Sequence, residues 1–164
     1  MSQKIQVRKI MPGDTTAVHA FVDSIMSDEF PGDDRAFVYY DLDNPAEAYG
    51  GKRDLFLVAE VDGEIAGTVA VKEDSDDTAL LRRLFVRGDL RGRGLGARLL
   101  RDALKFAANH GYRWVTFRGT DRMRGALSLC GKHGFHTRDT VELGGAKLVV
   151  LSRDLKTMPE VPAA

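Results

Sequence analysis

The sequence has little cysteine and no group of residues with the spacing of a metal site. Its one cysteine, Cys130, excludes an internal disulfide and cannot form a zinc site alone. The four histidines, at positions 19, 110, 133 and 136, are scattered along the chain without ligand spacing. We therefore expect a protein that holds no metal ion.

Net charge and long apolar runs are also missing. The 24 lysines and arginines balance the 24 acidic residues, so electrostatics do not favour binding to nucleic acid or to a membrane surface. No apolar run approaches the about 20 residues that span a bilayer. Residues 1–11 are polar and mixed, unlike a signal peptide. We predict a cytoplasmic protein with no nucleic-acid partner and no membrane partner.

What the chain contains is enough for one hydrophobic core, since 43 % of its 164 residues are hydrophobic. We find no repeat and no linker, so residues 1–156 are predicted to form a single domain. Residues 157–164 hold two prolines and two terminal alanines and are predicted to be a flexible tail. Hydrophobic periodicity predicts the fold class α/β (α+β), with a mixed, mostly antiparallel central sheet of about six to seven strands and helices on both faces.

Local patterns add three expectations about the strands. Asp62-Gly63, between two apolar segments, predicts a two-residue hairpin of type I′. Arg82 and Arg83 are neighbours in a predicted strand, so their side chains are expected on opposite faces of the sheet. The apolar strand predicted over 147–154 is expected at an edge, where it favours pairing with a second copy, and a homodimer is therefore an open alternative.

The most informative stretch runs from Arg91 to Gly96 and reads Arg-Gly-Arg-Gly-Leu-Gly. It follows an apolar segment over 80–86 and precedes an amphipathic segment that begins at Leu95. A strand, a glycine turn and a helix N-terminus in this order direct backbone N–H groups toward an anion. The pattern predicts that a phosphorylated ligand binds at this turn.

Three phosphate-binding patterns compete for this turn. The P-loop pattern is absent, because no Gly-Lys followed by Ser or Thr occurs there. The dinucleotide pattern is met only formally, by Gly92, Gly94 and Ala97, and the next strand ends Thr116-Phe117-Arg118, without the acid that such sites use. A nucleotide-binding protein is thus a weak alternative. The third pattern, [QR]-x-x-G-x-[GA], is met by Arg91, Gly94 and Gly96.

The third pattern has a specific context. Val86 precedes Arg91 by five positions, and the segment Ala126–Phe135 follows as Ala-x-x-Leu-x-x-Lys-x-Gly-Phe. With these two motifs at this separation, the chain resembles the GNAT N-acetyltransferase superfamily. The resemblance implies the GNAT fold, acetyl-CoA as co-substrate and direct attack by an amine in a ternary complex. It also implies an acetyl-CoA site formed by Leu84, Phe85, Val86, Arg91, Gly92, Arg93, Gly94, Leu95 and Gly96.

The catalytic residues of the family are not obvious in this chain. Cys130 stands where many members have a tyrosine that protonates the leaving thiolate, which makes Cys130 a candidate proton donor; the alternatives are a packed, small hydrophobe and a reactive nucleophile. Leucine stands where many members have a glutamate base, so the base stays unassigned. The candidate bases, any of which is equally explained as a solvated loop charge, are Glu29, Asp33, Asp34, Asp41, Asp76 and Asp77.

The acceptor is predicted from residues 28–53, where acidic residues outnumber basic ones and three tyrosines occur. Such an entrance would attract a cationic amine. The predicted acceptor is therefore a small amine or a basic peptide amine. Because both expected catalytic residues are replaced, a catalytically weak acyl-CoA-binding or sensor module is the alternative function.

Overall fold

A seven-stranded sheet organises the computed structural model, which describes residues 4–37 and 39–156. The predicted flexible tail, 157–164, lies outside these residues. The strands are β1 (Ile5–Lys9), β2 (Leu55–Val61), β3 (Glu64–Glu73), β4 (Thr78–Val86), β5 (Trp114–Thr120), β6 (His136–Glu142) and β7 (Lys147–Asp154). The helices are α1 (Thr15–Glu29), α2 (Pro45–Ala48), α3 (Leu95–Asn109) and α4 (Arg124–Lys132), with short helical turns at Pro12–Asp14, Asp33–Ala36, Tyr40–Leu42 and Gly88–Leu90.

The strand order is β1-β2-β3-β4-β5-β7-β6, and every neighbouring pair is antiparallel except β4 and β5. This confirms the predicted fold class, a mixed and mostly antiparallel sheet. The turn between β2 and β3 has φ of 53° at Asp62 and 82° at Gly63. Two consecutive residues with positive φ are what a type I′ hairpin requires, in agreement with the sequence.

Helices cover both faces of the sheet. The apolar side of α3, which includes Leu99, Leu100 and Ala103, packs on one face. The apolar side of α1, which includes Val18, Val22 and Met26, packs on the opposite face near Phe56 and Val58. We call these the α3 face and the α1 face.

One extra residue interrupts the alternation of β4. Thr68 of β3 pairs with Phe85 but Ala70 pairs with Arg82, so Arg83 and Leu84 together oppose one residue of β3. Arg83 has φ of 53°, and such bulges change the side-chain alternation. Arg82 and Arg83 both act on the same carboxylate, that of Asp41. The expectation that these two arginines point to opposite faces is therefore wrong, and the bulge is the reason.

The strand over 147–154 is not at an edge. β7 lies between β5 and β6 and pairs with both, so the expected edge is wrong, because the chain returns through β7 after β6 and inserts it beside β5. In the described sheet the edge strands are β1 and β6. A homodimer stays an untested alternative.

Residues 4–37 and 39–156 contain neither a membrane-spanning helix nor a cluster of metal ligands. No helix there is long and apolar enough to cross a membrane. No three His, Cys, Asp or Glu residues there lie together in a way that could hold a metal ion. The cytoplasmic location stays a prediction.

Candidate active site

A cleft opens where β4 and β5 diverge. The two strands pair from Thr78 with Trp114 to Leu81 with Phe117, and over the described residues they pair no further. The cleft has a volume of about 940 Å³, within the range of small-molecule sites. Its walls come from both strands, from the glycine turn, from α4 and from the segment after α1.

The glycine turn ends at the first turn of α3. Gly92 and Gly94 have φ of 79° and 86°, the left-handed region that only glycine adopts without strain. Arg98 donates the first helical hydrogen bond, to the Gly94 carbonyl at 3.0 Å. The N–H groups of residues 95–97 therefore precede the helical bonding pattern and are available to an anion.

Gly96 is required by close packing rather than by its φ. A Cβ at this position would lie 3.2 Å from Leu129 Cδ2 of α4 and 3.6 Å from Val86 Cγ2. This close approach joins the start of α3 to α4 at one end of the cleft. Leu129 and Lys132, one helical turn further along α4, both line the cleft there.

The structure brings together most of the residues predicted to bind acetyl-CoA. Leu84, Phe85 and Val86 of β4 line the cleft, as do Arg91, Gly92, Gly94 and Gly96 of the turn. Arg93 and Leu95 do not line it. Leu95 is buried in the core under α3, and Arg93 is exposed.

Arg91 makes contacts that the sequence pattern did not predict. Its Nε donates to the Val86 carbonyl at 3.0 Å, and its two Nη atoms donate to the two carboxylate oxygens of Glu29, the Nη2 bond at 2.7 Å. Glu29 is the last residue of α1. Arg91 thus ties the glycine turn to the ends of β4 and α1.

Cys130 lies away from the cleft. Its side chain is 0 % exposed and belongs to the core on the α3 face. The neighbouring residues of α4 that line the cleft are Ala126, Ser128, Leu129 and Lys132. Burial raises the pKa of the Cys130 thiol to about 12. These observations favour the packing role and disfavour a proton donor or a reactive thiol.

Asp41 belongs to a buried hydrogen-bond network next to the cleft. Its side chain accepts hydrogen bonds from Arg83 Nη2 at 2.6 Å, Arg83 Nε at 3.1 Å and the Tyr49 hydroxyl at 2.6 Å. Burial pushes the pKa of Asp41 upward, but the hydrogen bonds from Arg83 and Tyr49 and the charges of Arg83 and Arg82 outweigh it, so the pKa is lowered. Burial, and after it the charge of Asp41, raise the pKa of Tyr49.

Asp33 is buried and paired as well. It is 2 % exposed, its Oδ2 accepts from Thr120 Oγ1 at 2.6 Å, and its Oδ1 lies 3.2 Å from Arg122 Nη1. Asp33 and Asp41 are therefore not solvated loop charges, because both are neutralised by arginines. The side chain of Asp34 lies outside the described part of the structure.

The predicted bases do not converge on the cleft. Asp76 and Asp77 are exposed residues before β4 and do not line it. Among the described residues that line the cleft, Glu29 alone carries a carboxylate, and that carboxylate is paired with Arg91. The basic residues that line the cleft are Arg82, Arg83, Arg91, Arg118, Arg122, Arg124 and Lys132. The cleft is thus rich in positive charge, contrary to the acidic entrance that the sequence predicted.

Comparison with known proteins gives a family match. The model of the Acetyltransferase (GNAT) family matches residues 18–135. The chain is 35 % identical over 82 residues to a probable N-acetyltransferase, camello, of Xenopus tropicalis, covering 49 % of this chain and 37 % of the relative. It is 30 % identical over 95 residues to an uncharacterized N-acetyltransferase of Methanocaldococcus jannaschii, covering 54 % of this chain and 42 % of the relative. These alignments span less than half the length of either relative.

Solved structures share the fold over nearly the whole chain. A GNAT-family acetyltransferase from Staphylococcus aureus superposes with a TM-score of 0.81 at 19 % identity, covering 93 % of this chain and 99 % of the other. A putative acetyltransferase from Salmonella typhimurium, solved with its cofactor acetyl-CoA, superposes with a TM-score of 0.70 at 17 % identity, covering 98 % and 99 %. At these identities the likeness concerns the fold.

Proposed function

Because the chain belongs to the acetyltransferase (GNAT) family, we propose that it is an enzyme that moves the acetyl group of acetyl-CoA to a primary amine. The observation that carries this proposal is the position of the glycine turn at one end of the cleft between β4 and β5. Unpaired N–H groups at the start of α3 suit a pyrophosphate, and the cleft leads from there along Leu84, Phe85 and Val86.

The residues present fit acetyl-CoA as co-substrate. The N–H groups of residues 92–97 would bind the pyrophosphate oxygens, and Lys132 would add a positive charge near the phosphates, because it lies one turn beyond Leu129, the neighbour of Gly96. Beyond Leu81 the edge of β4 faces the cleft instead of β5 and would bond the amides of the pantetheine arm. The co-substrate supplies an acetyl thioester. The Salmonella typhimurium structure, which has the same fold and contains acetyl-CoA, supports this proposal.

The chemistry is attack by a neutral amine in a ternary complex. A C–N bond forms at the acetyl carbonyl and the C–S bond breaks; the amine nitrogen loses one proton and the sulfur gains one. Glu29 is committed to Arg91 and Cys130 is buried. We therefore propose that water accepts the proton of the amine and that water also protonates the thiolate.

The lining of the cleft also supports a second function, acyl-CoA binding without efficient transfer. Among the described residues that line the cleft there is no unpaired carboxylate, and the residue at the expected proton-donor position, Cys130, is outside the cleft. A catalytically weak acyl-CoA-binding or sensor module would need neither group. This alternative predicts binding of acetyl-CoA without transfer.

Two measurements on the same protein separate these functions. Calorimetry gives the Kd of acetyl-CoA, and a thiol-release assay gives the rate of transfer to amino acids, their amides, polyamines and a lysine peptide. Binding together with amine-dependent thiol release is the expected result. Binding without release on any amine would favour the sensor, and equal competition by NAD would contradict a CoA site.

A further inference from the structure

Two arginines flank the point where β4 and β5 diverge. Leu81 and Phe117 are the last paired residues of the two strands, and both pack into the core on the α3 face. Because side chains alternate along a strand, the next residues, Arg82 and Arg118, direct their side chains to the α1 face. Both line the cleft. One therefore lines the cleft from β4 and the other from β5, at the point where the strands diverge.

Among the described residues, carboxylates match the charges of these two arginines only in part. The side chain of Arg118 is exposed and forms no ion pair or hydrogen bond with any described residue. Arg82 interacts with Asp41 and with the Tyr49 hydroxyl, but the carboxylate of Asp41 already accepts from Arg83 and Tyr49. Two guanidinium groups that line one cleft make it positive there, and like charges repel each other. An anion between the two guanidinium groups would relieve that repulsion.

We propose that Arg82 and Arg118 bind a carboxylate of the acceptor, so that the amine acetylated by this protein belongs to a small amino acid. The inference rests on the proposed acetyl transfer and narrows the class of acceptor to amino acids, which excludes polyamines and lysine-rich peptides. A carboxylate held where the strands diverge leaves the α-amine one carbon atom away. Phe37 and Tyr40, which line the same cleft, offer apolar contacts for the side chain of the amino acid.

The same arginines assist the proton transfer without acting as a base. Nearby positive charge disfavours an ammonium ion and lowers the pKa of a bound amine. A larger fraction of the acceptor is then neutral and able to attack. This fits a cleft in which, among the described lining residues, no free carboxylate is present to remove the proton.

The test uses matched acceptors that differ only at the carboxylate. Each amino acid of the panel is compared with its amide and with its decarboxylated amine: L-phenylalanine with phenylalaninamide and 2-phenylethylamine, L-leucine with leucinamide and 3-methylbutylamine. Phosphoethanolamine is added to test whether the arginines bind a phosphate group instead of a carboxylate. We expect kcat/KM for at least one amino acid to exceed that for its amide and its amine by roughly tenfold or more, the size expected for a charge-assisted hydrogen bond.

Variants assign this preference to the arginines. Arg118→Gln should lower kcat/KM for the preferred amino acid by roughly tenfold or more, chiefly through KM, and leave the Kd of acetyl-CoA unchanged. Arg118→Lys should restore part of the loss. Arg138→Gln is the matched control, because Arg138 is an exposed arginine of β6 that does not line the cleft, and it should behave like the unsubstituted protein.

Two results would overturn the carboxylate site while acetyl transfer stands, and a third outcome tests the two proposals separately. Equal use of amides and decarboxylated amines, unaffected by Arg118→Gln, would remove it and leave acetyl transfer intact. Preference for phosphoethanolamine over every amino acid would replace the carboxylate with a phosphate. If no amine is acetylated, the proposed function fails, and calorimetry with the amino acids tests the carboxylate site by itself. Binding that Arg118→Gln abolishes would support the site. No binding, or binding that Arg118→Gln leaves unchanged, would contradict it.

Discussion

Arg83 donates hydrogen bonds to both carboxylate oxygens of Asp41, at 2.6 and 3.1 Å, from a backbone with φ of 53°. The two residues are 42 positions apart. One lies at the bulge of β4 and the other in the helical turn Tyr40–Leu42. This contact joins the segment between α1 and α2 to the strand that forms one wall of the cleft.

Breaking this buried pair should reduce stability strongly. Asp41→Asn leaves the Arg83 guanidinium buried without a counter-charge, and we expect the free energy of unfolding to fall by about 3–5 kcal/mol. Urea unfolding followed by circular dichroism measures the change. Asp43→Asn is the control, because Asp43 is exposed and should change the value by less than about 0.5 kcal/mol. Equal effects of both substitutions would contradict a buried ion pair.

The contribution of Asp41 should depend on pH. Its pKa is lowered from the ordinary value of 3.8 in the folded protein, so its stabilisation is complete well above that value and is lost as the pH falls through the lower, folded pKa. The difference in free energy of unfolding between the unsubstituted protein and Asp41→Asn should be constant from pH 7 to 5 and shrink below about pH 4. A difference that stays constant down to pH 3 would contradict the lowered pKa.

Gly94→Ala should weaken acetyl-CoA binding. Gly94 has φ of 86°, and alanine in the left-handed region costs about 1–2 kcal/mol, so the turn should shift and its N–H groups lose their alignment. We expect a Kd for acetyl-CoA that is roughly tenfold higher, measured by calorimetry. Gly131→Ala is the control: it lies in α4, a Cβ there meets open space, and binding should not change. An unchanged Kd in Gly94→Ala would contradict the anion site.

Cys130→Ala should retain catalysis. The thiol is buried with a pKa of about 12, so we expect kcat within about twofold of the unsubstituted protein, far from the 10²–10⁴-fold contribution of a general acid. The loss of a packed sulfur should lower the free energy of unfolding by about 1–2 kcal/mol. Iodoacetamide should label the thiol only in urea. A loss of kcat of about a hundredfold or more with normal acetyl-CoA binding would establish Cys130 as a catalytic residue.

Glu29 and Arg91 should have opposite effects on acetyl-CoA binding. Glu29→Gln removes a negative charge next to the glycine turn and frees Arg91 to bind a phosphate. The Kd of acetyl-CoA should therefore fall about two- to fivefold at low salt, the size expected for a partly exposed ion pair. The decrease should be smaller at high salt. Arg91→Gln should raise the Kd. If Glu29→Gln weakens binding as much as Arg91→Gln does, then Glu29 serves to hold Arg91 in place, and this prediction is wrong.

The sequence predicted the features that depend on neighbours along the chain. The hairpin at Asp62-Gly63, helix α3 and the glycine turn all follow from local patterns, in which backbone conformation and hydrophobic periodicity decide the structure. Most of the residues predicted to bind acetyl-CoA also line one cleft, because they belong to consecutive segments at the end of β4 and the start of α3.

The features that the sequence did not predict depend on residues far apart. Glu29 and Arg91 are 62 positions apart, and Asp33 and Thr120 are 87 apart, so no local pattern could reveal that these acids are paired. The prediction of an acidic entrance was wrong for this reason. It counted charges along the chain, whereas burial and ion pairing determine which charges face the cleft. The bulge at Arg83 likewise carries no glycine or proline to mark it.

The bulge makes the length of β4 matter as much as its composition. It places Arg82 and Phe85 on the α1 face while Leu81, Leu84 and Val86 pack toward the α3 face. A deletion of Arg83 would restore strict alternation and leave Leu84, Phe85 and Val86 on their present faces, but it would remove the contact with Asp41. A deletion within residues 79–81, before the bulge, would instead exchange the faces of the residues on one side of it, although every remaining side chain is kept. Single-residue deletions there should therefore be far less tolerated than conservative substitutions at the same positions.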